Sequence, residues 1–298
     1  MKKIAIIGSI NTDFTFKSKK LPKPSETIHG ESFDIQFGGK GANEAVACTR
    51  LGVKATLFGK LGDDMFSIAN LKNLKSQKVD ISNVEVCKNA YGGTAGINIG
   101  SGTNSIVVVA GANGNVDIDY IERHKKAILS HDIFCMQLEI PFKSVEYLIN
   151  MLSDAEKTII FNPSPITKIK KCLLSKCSYV IVNEIEIKQL PGFKSEEQTL
   201  RDFKGRLILT HGAQGVYYYD NKVKHVPALN IKNVVDTTGA GDTFLAAFAK
   251  AISQNMELEA AIKYANVCAG LKTTKHGAQT GMPYKKEVEC YIASQDNK

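Results

Sequence analysis

One short segment of the sequence, VDTTGAGDTF at residues 235–244, combines residue types that could carry out chemistry. Apolar residues follow at helical spacing from Phe244, which places Asp242 near a helix N-terminus. The run 239–241 has little or no side chain, so another molecule can approach its backbone closely. Free N–H groups and the helix dipole at such a position bind anions. The segment is therefore suited to hold a phosphoryl group beside a carboxylate.

Two interpretations of Asp242 are open. As a helix N-cap it would contribute about 1 kcal/mol of stability, but a cap does not need the Gly-Ala-Gly run before it. As a base it would accept the proton of a hydroxyl group that approaches the bound phosphoryl group. Phosphoryl transfer requires in-line positioning, charge neutralisation and a residue of this kind. We therefore expect phosphoryl transfer, with Asp242 as the base.

A second glycine-rich segment, FGGKGAN at residues 37–43, opens another predicted helix. Its spacing is not that of a P-loop, G-x-x-x-x-G-K-[ST]. Exposed backbone groups together with Lys40 and Asn43 suit a polyhydroxylated ligand that needs many hydrogen bonds. The alternative, a tight strand-to-helix turn, would explain the glycines but not Lys40 and Asn43 together.

Strand and helix patterns alternate along most of the chain. Apolar strand runs lie at 4–7, 53–59, 133–138, 158–161, 179–182 and 207–210, and helical patterns lie at 41–51, 144–152 and 196–203. This alternation predicts an α/β fold with a parallel sheet covered by helices on both faces. The segments 13–37 and 91–110 break the pattern with turn-rich, hairpin-like sequence. We expect them to form one small sheet that acts as a lid; two unrelated surface hairpins are the alternative.

Composition limits the possible partners and compartments. The chain has 298 residues, 43% of them hydrophobic, and a formal net charge of +8. The positive charge fits an anionic ligand or a lysine-rich surface, and the scattered lysines form no nucleic-acid motif. No apolar run is long enough to span a bilayer, and the run at 4–7 predicts a buried strand rather than a signal peptide. Seven cysteines without a CxxC pair favour reduced thiols and a cytoplasmic location.

The two glycine-rich segments resemble the signature segments of the ribokinase-like (pfkB) sugar kinases. Further matching pieces follow in family order across nearly the whole chain: GSINTD at 8–13, VAGAN at 109–113, MQLE at 136–139, NPSP at 162–165, VNEIE at 182–186, THGAQG at 210–215 and KHGAQ at 275–279. The resemblance implies a single three-layer α/β/α domain over 1–298 with a mostly parallel central sheet. Its lid would be formed by about 13–37 and 91–110. Because a small sheet leaves exposed edges and an apolar face, we expect two lids to pair in a homodimer.

The resemblance implies an ATP-dependent kinase that phosphorylates O5 of D-ribose. Asp242 would be the base, with Gly239, Ala240 and Gly241 as the anion hole. The implied sugar ligands are Asn11, Thr12, Asp13, Gly39, Lys40, Gly41, Ala42, Asn43, Glu139 and Asp242. The implied ATP ligands are Asn183, Thr210, His211, Gly212, Ala213, Gln214, Gly215, Gly241 and Asn266. A kinase for deoxyribose or for a nucleoside, and a non-catalytic sugar sensor on the same fold, are the alternatives.

The resemblance also implies two metal ions. Glu186 would organise Mg²⁺, through water. A monovalent cation such as K⁺ would be held, mostly by main-chain oxygens, at Asp236, Thr238, Lys272, Lys275, Gly277 and Gly281. The alternative for Asp236 is that it caps the turn through neighbouring N–H groups.

Two residues depart from the family pattern. Glu44 stands where a glutamine is usual, and we expect it on the outer side of its helix. Gly281 stands where a serine is common, which affects only the predicted cation site.

Overall fold

The computed structural model describes residues 2–296, so residues 1, 297 and 298 of the predicted domain lie outside it. These residues form thirteen strands and ten α-helices. The strands are β1 (Ile4–Ile7), β2 (Asn11–Lys17), β3 (Ser32–Gly38), β4 (Ala55–Leu61), β5 (Asp80–Val86), β6 (Gly93–Gly100), β7 (Thr103–Val109), β8 (Ile133–Met136), β9 (Thr158–Phe161), β10 (Tyr179–Asn183), β11 (Leu207–Thr210), β12 (Val216–Asp220) and β13 (Lys222–Val226). The helices are α1 (Lys40–Arg50), α2 (Met65–Ser76), α3 (Ile118–Leu129), α4 (Phe142–Asp154), α5 (Lys171–Leu174), α6 (Glu196–Asp202), α7 (Ala240–Ser253), α8 (Leu258–Lys272), α9 (Ala278–Gly281) and α10 (Lys285–Asp296).

Nine strands form the central sheet, in the order β13-β12-β11-β10-β9-β8-β1-β4-β5. All neighbours from β11 to β5 are parallel, and only β12 and β13, at one edge, pair antiparallel. The mostly parallel sheet predicted from the alternation of strands and helices is confirmed.

Helices cover both faces of this sheet, which explains the unbroken apolar runs of its strands. In β1, Ile4 and Ile6 belong to one buried cluster, with side chains of α1, α7 and α8. Ala5 and Ile7 point to the opposite face and belong to a second cluster, with side chains of α3 and α4. Successive side chains of a strand alternate between faces, so an apolar run here supplies two cores. The predicted three-layer fold is confirmed.

Four further strands form a small second sheet in the order β3-β2-β6-β7. Strand β2 pairs antiparallel with β3 and parallel with β6, so the two hairpin-like segments meet in one sheet rather than forming unrelated hairpins. Strand β2 begins at Asn11, earlier than the segment predicted from residue 13. Asn11, Thr12 and Asp13 therefore start the small sheet, whereas β1 of the central sheet ends at Ile7.

Several of the predicted site residues follow the carboxyl ends of parallel strands. Strand β1 is followed by Asn11, β8 by Glu139, and β10 and β11 end at Asn183 and Thr210. In parallel α/β sheets these ends lie along one edge, where ligands bind. The topology thus brings together residues that are up to two hundred positions apart in the sequence.

The described part of the chain, residues 2–296, contains no helix that is both long and apolar enough to cross a membrane. All seven cysteines are free thiols.

Candidate active site

The first turns of α1 and α7 meet at the centre of the site. Helix α7 begins at Ala240 after Gly239, whose φ of 76° is left-handed and favours glycine. Asp242 therefore lies inside the first turn, and its interpretation as the N-cap is wrong. Its buried Oδ2 accepts a hydrogen bond of 2.7 Å from Asn43 Nδ2 in α1. Two helix N-termini, each with partial positive charge, thus converge beside one carboxylate.

One of the three residues predicted to form the anion hole has its N–H group engaged within the chain. The N–H of Ala240 donates to Thr237 O at 3.1 Å and belongs to the turn. The N–H groups of Gly241 and Asp242 follow in the first turn, where a helix supplies no acceptor of its own. Apart from its chain neighbours and the backbone of its own helix turn, a Cβ on Gly241 would meet no atom of the described residues within 4 Å, so the space beside this residue is open.

Carboxyl and amide groups from both sheets surround Asp242. Burial, and then the nearby carboxylates of Glu139 and Asp242, raise the pKa of Asp13 to about 7. A Cβ at Gly38 would lie 2.2 Å from Asp13 Oδ2, so this glycine leaves the room that the Asp13 side chain occupies on the neighbouring strand. The cluster presents a set of hydrogen-bond acceptors to one small space, as a sugar ligand requires.

Glu139 holds the start of α1 to the start of the small sheet. One of its oxygens, Oε2, accepts from Ser9 Oγ, from Lys40 N at 3.2 Å and from Asn11 Nδ2 at 3.5 Å. Burial alone would lower the pKa of Lys40, but the surrounding carboxylates, Asp242 and Glu139 first, raise it above its usual value. Lys40 is therefore a charged ammonium among carboxylates. Among the other predicted sugar residues, Thr12 lies buried in β2, Gly39 precedes α1, and Gly41 and Ala42 are buried in its first turn.

Asn113 is a site residue to which sequence reasoning gave no role. Its Nδ2 donates to Asn11 Oδ1 at 2.7 Å, and its Oδ1 accepts from Ile10 N at 2.9 Å. It therefore fixes the orientation of the Asn11 amide. The VAGAN segment that ends at Asn113 was available as a signal, because it is one of the segments that carry the family resemblance.

A chain of amide side chains leads to Asp242, and sequence reasoning missed its central member, Gln279. Asn73 Nδ2 donates to Gln279 Oε1 at 2.7 Å, Gln279 Nε2 donates to Asn43 Oδ1 at 3.1 Å, and Asn43 donates to Asp242. Each amide is oriented by its neighbour, so the last N–H points at the carboxylate. Gln279 lies in the KHGAQ segment, which indicated that the region matters without indicating how.

The prediction for Glu44 is wrong. It is 1% exposed and faces the sheet, where Gln137 Nε2 donates to its Oε2. Burial, and then the charge of Asp242, raise the pKa of Glu44 well above its usual value. Glu44 Oε1 and Gln137 Oε1 are buried without another hydrogen-bond partner. A protonated Glu44 can donate to Gln137 while it accepts from it, so that both groups have their hydrogen bonds. A neutral amide at position 44 would do the same.

A cavity of about 710 Å³ extends from Lys40 and Asp242 to Asn266. Most of the predicted ATP ligands line it: Asn183, Thr210, Gly212, Ala213, Gly215, Gly241 and Asn266. At the end that contains Asn266, apolar side chains of the 229–234 loop, Leu229, Ile231 and Val234, also line the wall. These were missed because a loop of this kind has no strand or helix periodicity.

Two predicted ATP ligands are turned towards other groups. The His211 ring packs edge-on against Tyr217, and its Nε2 lies 3.8 Å from Glu196. The main-chain oxygen of Gln214 accepts from His225 Nε2 at 2.6 Å, and the side chain of Gln214 is exposed. Neither side chain lies among the residues that line the cavity. Both residues instead shape the turn from which Gly212, Ala213 and Gly215 reach it.

Glu186 lines the cavity, and its Oε2 accepts from Asn183 N at 2.9 Å. Within residues 2–296 no group of three or more His, Cys, Asp and Glu side chains could hold a metal ion by itself. A single carboxylate next to a phosphate site fits Mg²⁺, which keeps several waters and is bound jointly with substrate phosphates. Glu186 therefore suits the predicted role.

The residues predicted to hold a monovalent cation do come together, but the prediction that Lys272 offers only its carbonyl oxygen is wrong. Lys272 Nζ donates to Asp236 O at 2.8 Å and to Lys275 O at 3.4 Å. Asp236 caps the turn as well, since its carboxylate accepts from Thr238 N and Gly277 N at 2.9 and 2.8 Å. A free cation at these oxygens would lie against an ammonium group of like charge. The residues therefore do not fit the predicted ion.

Taken together, the open amides at two helix N-termini, the buried carboxylate beside them and the long cavity define a phosphotransferase that acts on a small polyhydroxylated substrate. The comparisons with known proteins agree with this class. The sequence matches the pfkB family carbohydrate kinases over residues 1–285. The chain belongs to that family.

Individual relatives cover nearly the whole chain. The ribokinase of Bacillus subtilis is 39% identical over 290 residues, which cover 97% of this chain and 99% of that protein. The crystal structure of ribokinase from Thermotoga maritima has a TM-score of 0.90 at 29% identity, covering 98% of this chain and 100% of that one. The Arabidopsis thaliana ribokinase, solved with ribose and ATP, has a TM-score of 0.87 at 28% identity and covers 97% of both chains.

Proposed function

We propose that this protein transfers the γ-phosphoryl group of ATP to O5 of D-ribose, giving ribose 5-phosphate and ADP. The observation that carries the proposal is the position of Asp242. Its carboxylate lies where the polar cluster of Asp13, Lys40 and Glu139 meets the long cavity. A hydroxyl group bound by that cluster would lie between the carboxylate and a phosphate placed over the helix N-terminus.

The sugar would be held from both sheets. Asn11 and Asp13 belong to the small sheet, whereas Lys40, Asn43 and Glu139 belong to the central body. A sugar with several hydroxyl groups can pair with all of these acceptors and donors at once. Because Asn113 and Gln279 already orient the Asn11 and Asn43 amides, these two side chains need little further ordering when the sugar binds.

The reaction follows from this placement. O5 attacks the γ-phosphorus, and its proton passes to the Asp242 carboxylate as the O5–phosphorus bond forms. The bond between the γ-phosphorus and the β,γ-bridging oxygen breaks, and its electron pair leaves with ADP. The N–H groups of Gly241 and Asp242 and the dipole of α7 stabilise the charge on the transferring group. Glu186 would hold Mg²⁺ through water, and the ion would neutralise charge on the ATP phosphates.

The nucleotide would occupy the remaining cavity. Its phosphates would lie near Asn183 and the first turn of α7, and Thr210, Gly212 and Gly215 would border it from the central sheet. The adenine would reach the apolar end near Asn266, whose Nδ2 is already engaged with Pro227 O at 2.7 Å. Asn266 would thus shape the wall rather than read the base with that N–H group.

A substrate panel tests the proposal. ADP formation should be measured with D-ribose, 2-deoxyribose, a hexose and nucleosides at equal concentration. We expect the highest kcat/KM with ribose, because each buried partner of the 2-hydroxyl left unpaired costs about 1–3 kcal/mol. Equal kcat/KM for ribose and deoxyribose would contradict the ribose assignment, a preference for nucleosides would indicate a nucleoside kinase, and no turnover with any acceptor would indicate a sensor.

We also propose that the protein forms a homodimer through the small sheet and works in the cytoplasm. Edge strand β7 exposes Ile106, Val107, Val108 and Val109, each more than half accessible, and Phe33 is similarly exposed on β3. An apolar edge strand of this kind invites pairing with another strand, and a second copy offers an identical edge. Seven free thiols fit a reducing compartment.

A further inference from the structure

The buried ammonium group of Lys272 occupies the position expected for a free cation. The side chain is 0% exposed. Its Nζ lies 2.8 Å from the carbonyl oxygen of Asp236, 3.4 Å from that of Lys275 and 3.9 Å from Asp236 Oδ2. A buried charge needs partners of this kind. The oxygens that would surround a monovalent ion therefore surround an ion that is covalently attached to the chain.

Gly281 leaves the space that the lysine needs. A Cβ on this residue would lie 3.1 Å from Lys272 Cε, 3.0 Å from Lys275 O and 3.2 Å from His276 O. Any larger side chain would press on the lysine stem and on the carbonyl groups around it. The absence of a side chain at 281 therefore allows the Lys272 ammonium to occupy this position.

The ammonium ties the catalytic turn to the end of α8. Lys272 is the last residue of α8, and Asp236 begins the turn that leads to Gly239 and the first turn of α7. The link is reinforced by Thr273 O, which accepts from Val235 N at 2.8 Å and Asp236 N at 3.2 Å. A cation at this place fixes the turn whose amides would face the transferring phosphoryl group.

We propose that Lys272 is a built-in monovalent cation, so that phosphoryl transfer by this enzyme does not depend on K⁺. The inference rests on the proposed function for its kinetic readout. Lys272 is a positioning residue, because it acts through the 236–241 turn and touches no substrate group.

The test compares salts and variants. ADP and sugar phosphate should be separated and measured directly, without coupling enzymes, in KCl, NaCl or tetramethylammonium chloride at one ionic strength. The wild type should give the same kcat in all three. Lys272→Ala should lose about 10–100-fold in kcat in tetramethylammonium, with KM for ATP and sugar little changed, and K⁺ or NH₄⁺ should restore most of the loss. Lys263→Ala, at an exposed lysine of the same helix, should behave as the wild type.

A second variant separates charge from space. Lys272→Met keeps a stem in the site but has no charge, so it should lose kcat as Lys272→Ala does and gain nothing from K⁺. A wild type that K⁺ activates several-fold, or a Lys272→Ala variant with full activity in tetramethylammonium, would overturn the proposal.

Thermal unfolding gives a readout that does not need the substrate to be known. K⁺ should raise the Tm of Lys272→Ala and leave that of the wild type unchanged. If ribose is not phosphorylated in any salt while this pattern of Tm values holds, the proposed function fails and the built-in cation stands. If K⁺ raises the wild-type Tm more than Na⁺ does, the built-in cation fails.

Discussion

At the scale of single residues, Asp13 is a carboxyl group whose burial suits ligand binding at the expense of stability. Its pKa is about 7 in the folded protein against an ordinary value of 3.8. The folded state therefore binds a proton more tightly than the unfolded state. The stabilisation present below about pH 4 is lost as the pH rises to about 7, and it amounts to about 4 kcal/mol at most.

We predict that Asp13→Asn removes the loss of stability that the ionisation of Asp13 causes. Unfolding of the two proteins in urea should be compared at pH 5, 6, 7 and 8. The free energy of unfolding of the variant, relative to that of the wild type, should increase up to about pH 7 and then stay constant, because Asn does not titrate. Its KM for ribose should rise, since an amide accepts fewer hydrogen bonds than a carboxylate. Parallel stability curves for the two proteins would contradict the prediction.

Glu44 gives a related prediction without a binding role. Its raised pKa means that the folded protein retains a proton that the unfolded chain loses above about pH 4.5. Glu44→Gln should therefore increase the free energy of unfolding at pH 8 and leave kcat unchanged, because Gln keeps the hydrogen bond to Gln137. A variant less stable than the wild type at pH 8 would show that the Glu44 charge is compensated.

These residues also show how much of the site could be predicted from the sequence. Asp242 and Asn43 were identified from the glycine-rich segments around them, because helix N-termini have local signatures. The environments of Glu44 and Lys272 were not identified. Whether a side chain on α1 or α8 points inward depends on what packs against it: for Glu44 this is Gln137, 93 residues away in the sequence, and for Lys272 it is Gly281, beyond the end of the helix. Long-range packing of this kind leaves no periodic pattern.

At the scale of elements, α9 positions the base through α1. Gln279 of α9 donates a hydrogen bond to Asn43, which in turn donates to Asp242. We predict that Gln279→Leu lowers kcat by about 10–100-fold, with a smaller change in KM for ribose, because the Asn43 amide loses its fixed orientation. Gln198→Leu, at an exposed residue of α6, is the matched control. An unchanged kcat for Gln279→Leu would show that Asn43 is held by other contacts.

The elements themselves were predictable to different degrees. Strands such as β9 and β11 were placed at their observed limits, because a short apolar run between helices has few other interpretations. The sequence placed Asp242 at the N-terminus of α7, whereas the helix begins at Ala240. The apolar pattern begins only at Phe244, and small residues carry no periodicity. Strand β2 was divided wrongly at residue 13, because no local signal marks where a chain leaves one sheet for another.

At the scale of the whole molecule, the small sheet contains Asn11 and Asp13, and in the proposed homodimer its edge strand β7 would pair with a second copy. We predict that Val107→Lys converts the homodimer into a monomer, since a charged edge strand resists pairing. Sedimentation velocity at micromolar concentration, with and without ribose, measures this. A wild type that sediments as a monomer under both conditions would contradict the dimer.

The central claim, that Asp242 accepts the proton from the sugar hydroxyl during phosphoryl transfer, is tested most directly by single-turnover kinetics of Asp242→Asn. The variant keeps the side-chain shape and an oxygen that can accept from Asn43. Its folding and its affinity for ATP and ribose should therefore be largely unchanged. We predict that the rate of ADP formation falls by about 10²–10⁴-fold. A rate near that of the wild type, in a variant shown to be folded and to bind both substrates, would contradict the account.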